Sequence, residues 1–447
     1  MRTVLFIVNQ FPPFGGGGII RPLKFVKYLP DFGWKPIVVS CDYLGNIFTP
    51  DVELCKEIPE LVDVYRVKSY EPNSLKRKIK NNLQDQSNDD ISSNKRTNFK
   101  SPILSLTKGA RDVIYKTLIP DEHILWVPGA VKKCKQILAK EKIDVLLTTS
   151  PPVSTHLVGL LLKKKFPQLP WVVDFRDLWT IYDPYHQNKI VFARRINEYL
   201  ETIVLKNSNK SIFVSDDIEK LTREKFNFIN KNKSICITNG FDPHDFNNNL
   251  KDAPADKFQI SYTGSMLRRQ AQNKFLEGLK EFIKNSNHEV REKLKINLVG
   301  KFENFYLQKI KGYELQNYIN VIEFVNHRKA INFMNQSHLL VLILSDDYVC
   351  KFVLTGKFFE YLASQKPILA LVPDGIVSNI IQRNKLGIVV NPDDVEGIKN
   401  AISAFYKKYK QNDLGIKVQE EFLRQFDRKE LTRKLADVLN KQIENEN

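Results

Sequence analysis

Short apolar runs alternate with longer amphipathic stretches along almost the whole chain. In the first half, the apolar runs lie at Val4–Val8, Pro36–Ser40, Asp144–Thr149, Trp171–Phe175, Ser211–Val214 and Ser234–Thr238. Continuous runs of this kind are typical of parallel strands buried on both faces. Helical stretches are predicted between them at Ile20–Leu29, Val131–Lys140 and Ser154–Lys165. The alternation predicts an α/β sheet with crossover helices.

The same pattern restarts after residues 247–257, NNNLKDAPADK, which have the composition of a turn or linker. The later runs lie at Gln259–Tyr262, Lys295–Val299, Asn320–Phe324, Leu339–Leu344, Ile368–Leu371 and Gly387–Val390. We therefore expect a boundary near residue 250 and two doubly wound domains of similar size.

Residues 76–100 break the pattern, because they are rich in lysine and asparagine and have no apolar period. They predict a mobile loop inside the first domain. The basic, moderately amphipathic stretch 101–118 that follows favours a packed surface helix, with contact to a membrane surface as the alternative.

The length and the charge narrow the class of protein. At 447 residues the chain is too long for one ordinary core, which agrees with two domains. Its net charge of +17 favours anionic partners, although a lysine-rich surface without a special partner gives the same number. The five cysteines are far apart, and no apolar run approaches the length of a membrane span. We expect a cytoplasmic protein with reduced thiols and no metal cluster.

Four consecutive glycines, Gly15 to Gly18, follow the first predicted strand and precede a predicted helix. A loop without side chains exposes backbone N–H groups and a helix start to an anion, whereas the alternative is a flexible turn. The dinucleotide-binding pattern GxGxxG is not met, because Ile20 and Arg21 stand where the last glycine is needed.

Polar residues follow two further strands of the first half. Ser154 or Thr155 is expected to cap a helix after the TSPP turn, which places His156 in the first helical turn. In VVDFRDLW, Arg176 and Asp177 come directly after a buried strand and could orient a hydroxyl or pair with phosphate. The alternatives are a solvated or capping histidine and a structural Asp–Arg pair.

Two motifs of the second half suit a nucleotide. Gly264 and Ser265 form a small-residue turn after a strand, and Arg268 and Arg269 follow them. In TGKFFEYLASQKPILAL, Gly356 opens a helix whose N–H groups and Lys357 face one point. Glu360, on the same face, could accept hydrogen bonds from a ribose diol, or instead pair with Lys357 in solvent.

Taken in order, the segments FPPFGGGGIIRPLKF, DVLLTTSPPVSTHLVG, WVVDFRDLW, ITNGFDPHDF, YTGS and TGKFFEYLASQKPILAL resemble the bacterial family 4 glycosyltransferases. The segment IPDEHILWVP, residues 119–128, resembles members that act in surface-polysaccharide assembly. The resemblance implies the GT-B fold, with two Rossmann-like domains facing a central cleft. It also implies sugar transfer with retention, from a nucleotide sugar, with no bound metal or other cofactor.

The resemblance also implies an organisation and roles for the residues. An acceptor-binding domain would cover 1–250, a donor-binding domain 251–427, and a helix at 428–447 would cross back to the first. The catalytic residues would be His156, Arg176 and Asp177, on the acceptor side. The donor-binding residues would be Gly16, Gly17, Gly264, Ser265, Arg268, Arg269, Gly356, Lys357 and Glu360.

One position departs from the family pattern. Many relatives carry a second glutamate eight residues before the ribose-binding one, and here that residue is Phe352. Its contact to the transferred sugar would have to come from Asp346 or Asp347, or be absent.

The expected partners are a nucleotide sugar, a lipid-linked saccharide acceptor and the anionic inner face of a membrane, with no nucleic acid. Three alternatives remain open. An epimerase of the same fold would act on a nucleotide sugar without an acceptor. An NAD-linked oxidoreductase would need the missing glycine pattern. A basic lipid- or nucleic-acid-binding module is supported only by the net charge and the 76–100 segment.

Overall fold

The structure, a computed structural model, describes residues 1–42, 50–69, 118–181, 189–246, 253–254, 256–266 and 274–444. The predicted loop 76–100, the basic stretch up to residue 117, Arg268 and Arg269 lie outside the described residues. Contacts divide the chain into two units. The first comprises Met1–Phe14, Phe25–Ile237 and Arg433–Asn447, and the second comprises Gly15–Lys24 and Thr238–Thr432.

The first unit is built on a parallel sheet in the order β3-β2-β1-β4-β5-β6-β7. Its strands are β1 Arg2–Val8, β2 Trp34–Asp42, β3 Asp63–Lys68, β4 Val145–Ser150, β5 Trp171–Phe175, β6 Lys210–Phe213 and β7 Ser234–Cys236. The described α-helices of this part of the chain are α1 Gly17–Tyr28, α2 Val127–Leu138, α3 Ser154–Lys165, α4 Val191–Asn207 and α5 Asp216–Lys225.

The second unit repeats this architecture with the order β10-β9-β8-β11-β12-β13. Its strands are β8 Phe258–Thr263, β9 Leu294–Val299, β10 Ile319–Ile322, β11 Leu339–Ile343, β12 Ile368–Leu371 and β13 Gly387–Val390. The helices that follow β8 in sequence are α6 Phe275–Lys284, α7 His288–Lys293, α8 Asn304–Gly312, α9 His327–Asn335, α10 Gly356–Ser364, α11 Ile376–Arg383, α12 Val395–Lys410, α13 Glu420–Arg424 and α14 Arg428–Glu444.

Burial on both faces explains why the central strands are continuous apolar runs. In β11, Leu339, Val341 and Ile343 pack into one apolar cluster, whereas Leu340 and Leu342 pack into another on the opposite face. Side chains alternate between the two faces of a strand, so a strand covered on both sides cannot carry a polar face.

Strand β3 is absent from the sequence prediction, because its sequence DVYRVK alternates polar and apolar residues. Among the described residues it pairs only with β2, at the edge of the sheet. Of its six residues only Val67 is buried, so β3 lacks the continuous apolar run from which the other strands are predicted.

A segment of the first unit ends at Ile237 and the second unit continues from Thr238, whereas the sequence predicts the domain boundary near residue 250. The amide of Ile237 still donates to Phe213 O of the first sheet, at 2.8 Å. Phe241 instead exchanges backbone hydrogen bonds with Phe426 and Arg428, at 2.9 and 2.8 Å. Residues 247–257, whose composition is typical of a linker, are therefore preceded by a segment that already belongs to the second unit.

Within the described residues, no helix has both the length and the apolar character needed to cross a membrane.

Candidate functional site

In both sheets the strand order reverses between two neighbours, β1 and β4 in the first and β8 and β11 in the second. Open α/β sheets bind ligands beyond the carboxyl ends of strands at such switch points. Gly264 directly follows β8, and α10 is the first α-helix after β11. The topology therefore places two of the predicted donor-binding motifs at the switch point of the second sheet.

The structure brings Gly264 and Lys357 into contact. Gly264 has φ +127°, and a Cβ atom there would lie 2.6 Å from Lys357 Nζ. The neighbouring Gly300 has φ +136°, and a Cβ on it would lie 2.3 Å from Gly264 O. Both glycines adopt a backbone conformation that L side chains rarely take, and at Gly300 a Cβ would also collide with the backbone of Gly264.

The ammonium group of Lys357 is held in place by Tyr262. It donates to Tyr262 Oη at 2.9 Å and lies 4.5 Å from the centre of the Tyr262 ring. Tyr262 Oη in turn donates to Ser265 O at 3.0 Å. Burial raises the pKa of Tyr262 well above its usual value, so this hydroxyl keeps its proton at neutral pH. The predicted residues Gly264, Ser265 and Lys357 thus form one connected group.

The start of α10 is open. A Cβ on Gly356 would meet nothing within 4 Å among the described residues, and Thr355, the N-cap residue, makes no side-chain cap hydrogen bond. Thr355 Oγ1 is buried without a hydrogen-bond partner in the described part of the chain. Helix N-termini attract anions because their first N–H groups lack intrahelical partners.

Glu360 does not pair with Lys357 in the structure. Its Oε1 lies 2.9 Å from His327 Nε2, and the Glu360 and His327 side chains are 17% and 16% exposed. On the other side of the imidazole, Nδ1 lies 4.0 Å from Asp245 Oδ2. Burial opposes the charged form of His327, but the Glu360 and Asp245 carboxylates outweigh it and raise the pKa of His327.

The segment that carries the glycine loop, residues 15–24, groups with this second unit. Gly16 has φ +121°, and neither Gly16 nor Gly17 has a described atom within 4 Å of a virtual Cβ. Further along, Arg21 Nη1 donates to Thr238 O at 2.6 Å. Lys24 Nζ lies 2.8 Å from Asp242 Oδ2 and 2.9 Å from Asp245 Oδ1.

His156, at the carboxyl edge of the first sheet, is fully buried. Its Nδ1 lies 2.8 Å from Thr148 Oγ1, which also accepts from Trp171 Nε1 at 3.0 Å. The Thr148 hydroxyl can accept from Trp171 and at the same time donate its own proton to Nδ1 of His156. In that arrangement Nδ1 is the acceptor, so the ring proton of the neutral imidazole lies on Nε2. That nitrogen is buried without a partner among the described residues. Burial lowers the pKa of His156 to about 3, so the ring is neutral.

The capping prediction for α3 is wrong. The helix begins at Ser154 with Val153 as its N-cap, and the buried hydroxyls of Ser154 and Thr155 have no partner in the described part of the chain. Asp121 takes over the role, since its Oδ2 accepts from the Ser154 amide at 2.9 Å. An acidic residue 33 positions earlier in sequence fills the cap, which local sequence does not reveal.

The Arg176 side chain donates hydrogen bonds to the turn that precedes α3. Its Nε donates to Ser150 O at 2.8 Å and its Nη2 to Pro151 O at 2.7 Å. Asp177 is exposed beside it. Roles of His156, Arg176 and Asp177 in catalysis stay predictions, and the structure gives Arg176 a fixed position next to the His156 turn.

The sequence prediction missed His327, Asp245 and Tyr262. Asp245 belongs to the DPHD stretch, which reads as a turn, and Tyr262 lies inside a strand. His327 follows Asn326, the N-cap of α9, so its only local signal is that of a helix start. Nothing in the local sequence links it to Glu360, 33 residues away.

Phe352 stands where many relatives carry the second glutamate. Its ring packs against Tyr348, with the two ring centres 5.0 Å apart. Of the two acids considered as substitutes, Asp347 accepts from Ser345 Oγ at 2.8 Å and Asp346 is exposed. Their contact to a transferred sugar stays a prediction.

Two family models match the chain. The model described as Glycosyltransferase Family 4 matches residues 95–245, and the one described as Glycosyl transferases group 1 matches residues 257–408. No curated protein matches the chain.

Solved structures of low sequence identity share the fold. A glycosyltransferase from Rickettsia africae is 17% identical, with a TM-score of 0.63 and 99% of each chain covered. Anabaena HepE, solved in complex with UDP-glucose, is 14% identical, with a TM-score of 0.64, and 99% of this chain and 100% of that one are covered. A putative UDP-N-acetylglucosamine 2-epimerase from Listeria monocytogenes is 11% identical, with a TM-score of 0.59 and coverage of 99% and 97%.

Proposed function

The chain belongs to the family 4 glycosyltransferases of the GT-B fold, and from this premise we propose that it is a retaining, hexosyl-type enzyme. It would move a sugar from a nucleoside diphosphate sugar to a hydroxyl of a lipid-linked saccharide during surface-polysaccharide synthesis. The observation that carries the proposal is the group formed by Gly264, Lys357 and the open start of α10, beside Glu360.

This group suits the leaving diphosphate. As the bond to the sugar breaks, negative charge builds up on the diphosphate and positive charge on the sugar ring. Lys357, fixed by Tyr262, and the N–H groups at the start of α10 are preorganised donors for that negative charge. The bare backbone of Gly264 lets the diphosphate approach Lys357 closely. Glu360 would accept hydrogen bonds from the ribose hydroxyls.

The first unit would supply the acceptor side. The Nε2–H of His156 is a buried donor without a described partner, which supports contact with an oxygen of a substrate. Arg176 holds the turn before α3 and would fix the position of that ring. Because cationic and backbone donors neutralise the diphosphate, the proposed reaction needs no metal, and activity is expected to persist in EDTA.

The direct test is a binding and turnover panel. We expect one nucleoside diphosphate sugar among the UDP-, GDP- and ADP-linked series to raise the thermal unfolding midpoint, because a ligand that binds only the folded state stabilises it. NAD is expected to have no effect. If NAD stabilises the protein and no nucleotide sugar does, the oxidoreductase alternative is favoured instead.

The epimerase alternative is separated by omitting the acceptor. A transferase leaves the donor sugar unchanged apart from slow hydrolysis, whereas an epimerase converts it to a second sugar nucleotide that is visible by NMR. Accumulation of an epimer in the wild-type protein without acceptor would contradict transfer as the main activity.

Contact with an anionic membrane is part of the same proposal. On α4, Val191, Phe192 and Tyr199 are 56%, 69% and 64% exposed, and Arg195 is exposed among them. Apolar side chains interleaved with arginine suit the headgroup region of an anionic bilayer. The net charge of +17 also favours binding to an anionic bilayer. The protein would thus work at the inner face of the plasma membrane, close to its acceptor.

We expect Phe192→Ser to reduce co-flotation with phosphatidylglycerol vesicles by about tenfold, the effect of withdrawing one large apolar side chain from the bilayer. Leu161→Ser is the control, because Leu161 is also exposed, at 45%, on another helix of the first unit. Equal flotation on phosphatidylcholine and phosphatidylglycerol would contradict the electrostatic part. Equal loss in both variants would contradict the assignment to α4.

A further inference from the structure

His327 lies between two carboxylates of the second unit. Glu360 on α10 is 2.9 Å from Nε2, and Asp245 is 4.0 Å from Nδ1. Asp245 is in turn held by Lys24, at 2.9 Å, and Lys24 also pairs with the fully buried Asp242, at 2.8 Å. The side chains form an alternating chain of charges that ends at Glu360.

The position of the imidazole has a geometric consequence. His327 contacts Oε1 of Glu360, so it fixes the rotation of the carboxylate and leaves Oε2 for another donor. At 16% and 17% exposure, the two side chains are too buried for water to replace this contact freely. A carboxylate that binds a diol must hold its oxygens in a fixed orientation, because the two hydroxyls of a ribose are rigidly spaced.

We propose that His327 is a positioning residue that, as an imidazolium anchored by Asp245, orients Glu360 for the ribose diol of the nucleotide and makes recognition of that diol depend on pH. This inference rests on the proposed function, since it deepens the role given there to Glu360. His327 lies outside the helix that carries Lys357 and Glu360. Its proposed role has a measurable consequence, which is that the protein binds a ribonucleotide more tightly than the corresponding dideoxyribonucleotide.

The direction of the pH dependence follows from the charges around the ring. The charged groups that face His327 are Glu360 on α10, Asp245 in the Pro243–Asp245 turn and Lys24 on α1. The two carboxylates favour the imidazolium, while burial and Lys24 oppose it, and the pKa of His327 is raised on balance. The oriented state is therefore present at low pH and is lost as pH rises through that raised pKa.

The test measures dissociation constants for UDP and for 2′,3′-dideoxy-UDP by titration calorimetry. Where UDP does not bind, GDP or ADP is used with its own dideoxy form. Comparing the two ligands isolates the ribose contact, because titration of the phosphate affects both equally. Wild type is compared with His327→Ala and His327→Gln, and with His288→Ala, which removes a histidine that is 86% exposed on α7.

We expect wild type and His288→Ala to favour the ribonucleotide by about tenfold at pH 6, the effect of one hydrogen bond to a charged group. His327→Ala is expected to bring that ratio close to one while binding the dideoxy ligand normally. His327→Gln keeps a donor to Glu360 but cannot titrate, so it should retain part of the ratio and show no change up to pH 9. In wild type the ratio should fall over that interval.

Each other outcome is informative. If none of UDP, GDP and ADP binds wild type, the proposed function fails. If wild type binds but does not distinguish the two sugars, or if His327→Ala keeps the wild-type ratio, the inference about His327 is overturned while nucleotide binding stands. Equal weakening of both ligands in His327→Ala would show a merely structural role and would also overturn it.

Discussion

Replacing Lys357 by alanine is expected to lower kcat by about 10²–10³-fold, with a smaller effect on the KM for the donor. The lysine acts on charge that develops only as the bond to the sugar breaks, so its loss raises the barrier more than it weakens substrate binding. Its position supports this role, since Tyr262 holds the ammonium group 2.6 Å from a virtual Cβ on Gly264, at the carboxyl edge of the sheet.

The measurement is steady-state transfer with the nucleotide sugar identified in the binding panel. Lys399→Ala is the matched control, because Lys399 is a lysine of the same unit that pairs with Glu396 on the surface of α12. Lys357→Met keeps the apolar stem and should be as inactive as Lys357→Ala. A kcat within a few fold of wild type in both variants would contradict the site assignment, provided that circular dichroism shows intact folding.

The strands were predictable from sequence because burial on both faces leaves little room for ambiguity. The fully buried strands Trp171–Phe175 and Ile368–Leu371 have the boundaries that the sequence predicts. Strand β3 was missed because its alternating sequence contains no apolar run. The pattern of apolar residues reports how deeply a strand is buried, so a strand that is largely exposed is the hardest to predict.

The candidate site was predictable only where its chemistry is local in sequence. Gly356, Lys357 and Glu360 lie within one helical turn and a half, so their shared face follows from helix geometry. The sequence predicts that Glu360 binds a ribose diol or, as the alternative, pairs with Lys357 in solvent. Its partner within the protein is instead His327, which the fold brings from the start of another helix. Such pairs depend on how crossover helices are placed above the sheet, and sequence spacing carries no information on that placement.

The same limit applies to Lys24, which is one of three basic residues, with Arg21 and Lys27, in a largely apolar helix, and which is fully buried. Its ammonium group pairs with Asp242, also fully buried, and with Asp245 at 15% exposure. The two residues are 218 positions apart in sequence, and nothing in the local sequence of either one predicts this pairing. A buried lysine needs specific charged partners, so its burial depends on the tertiary structure and cannot be predicted from the helix alone.

Lys24→Ala is accordingly expected to destabilise the second unit by about 3–5 kcal/mol, because it removes the cation that lies 2.8 Å from the fully buried Asp242 carboxylate. Lys27→Ala is the control on the same helix. Lys27 pairs with Glu57 at the same 2.8 Å, but the two side chains are 24% and 22% exposed, and a pair that water reaches contributes about 1 kcal/mol or less.

All four tryptophans, at positions 34, 126, 171 and 179, lie in the first unit, so their fluorescence reports on that unit, whereas circular dichroism follows both. In urea we expect Lys24→Ala to lower the circular dichroism midpoint more than the fluorescence midpoint. The double variant Lys24→Met/Asp242→Asn should recover much of the loss, because it removes both charges together. Equal stability of Lys24→Ala and Lys27→Ala would show that water compensates for the loss of Lys24 beside Asp242, and that this buried pair does not stabilise the second unit.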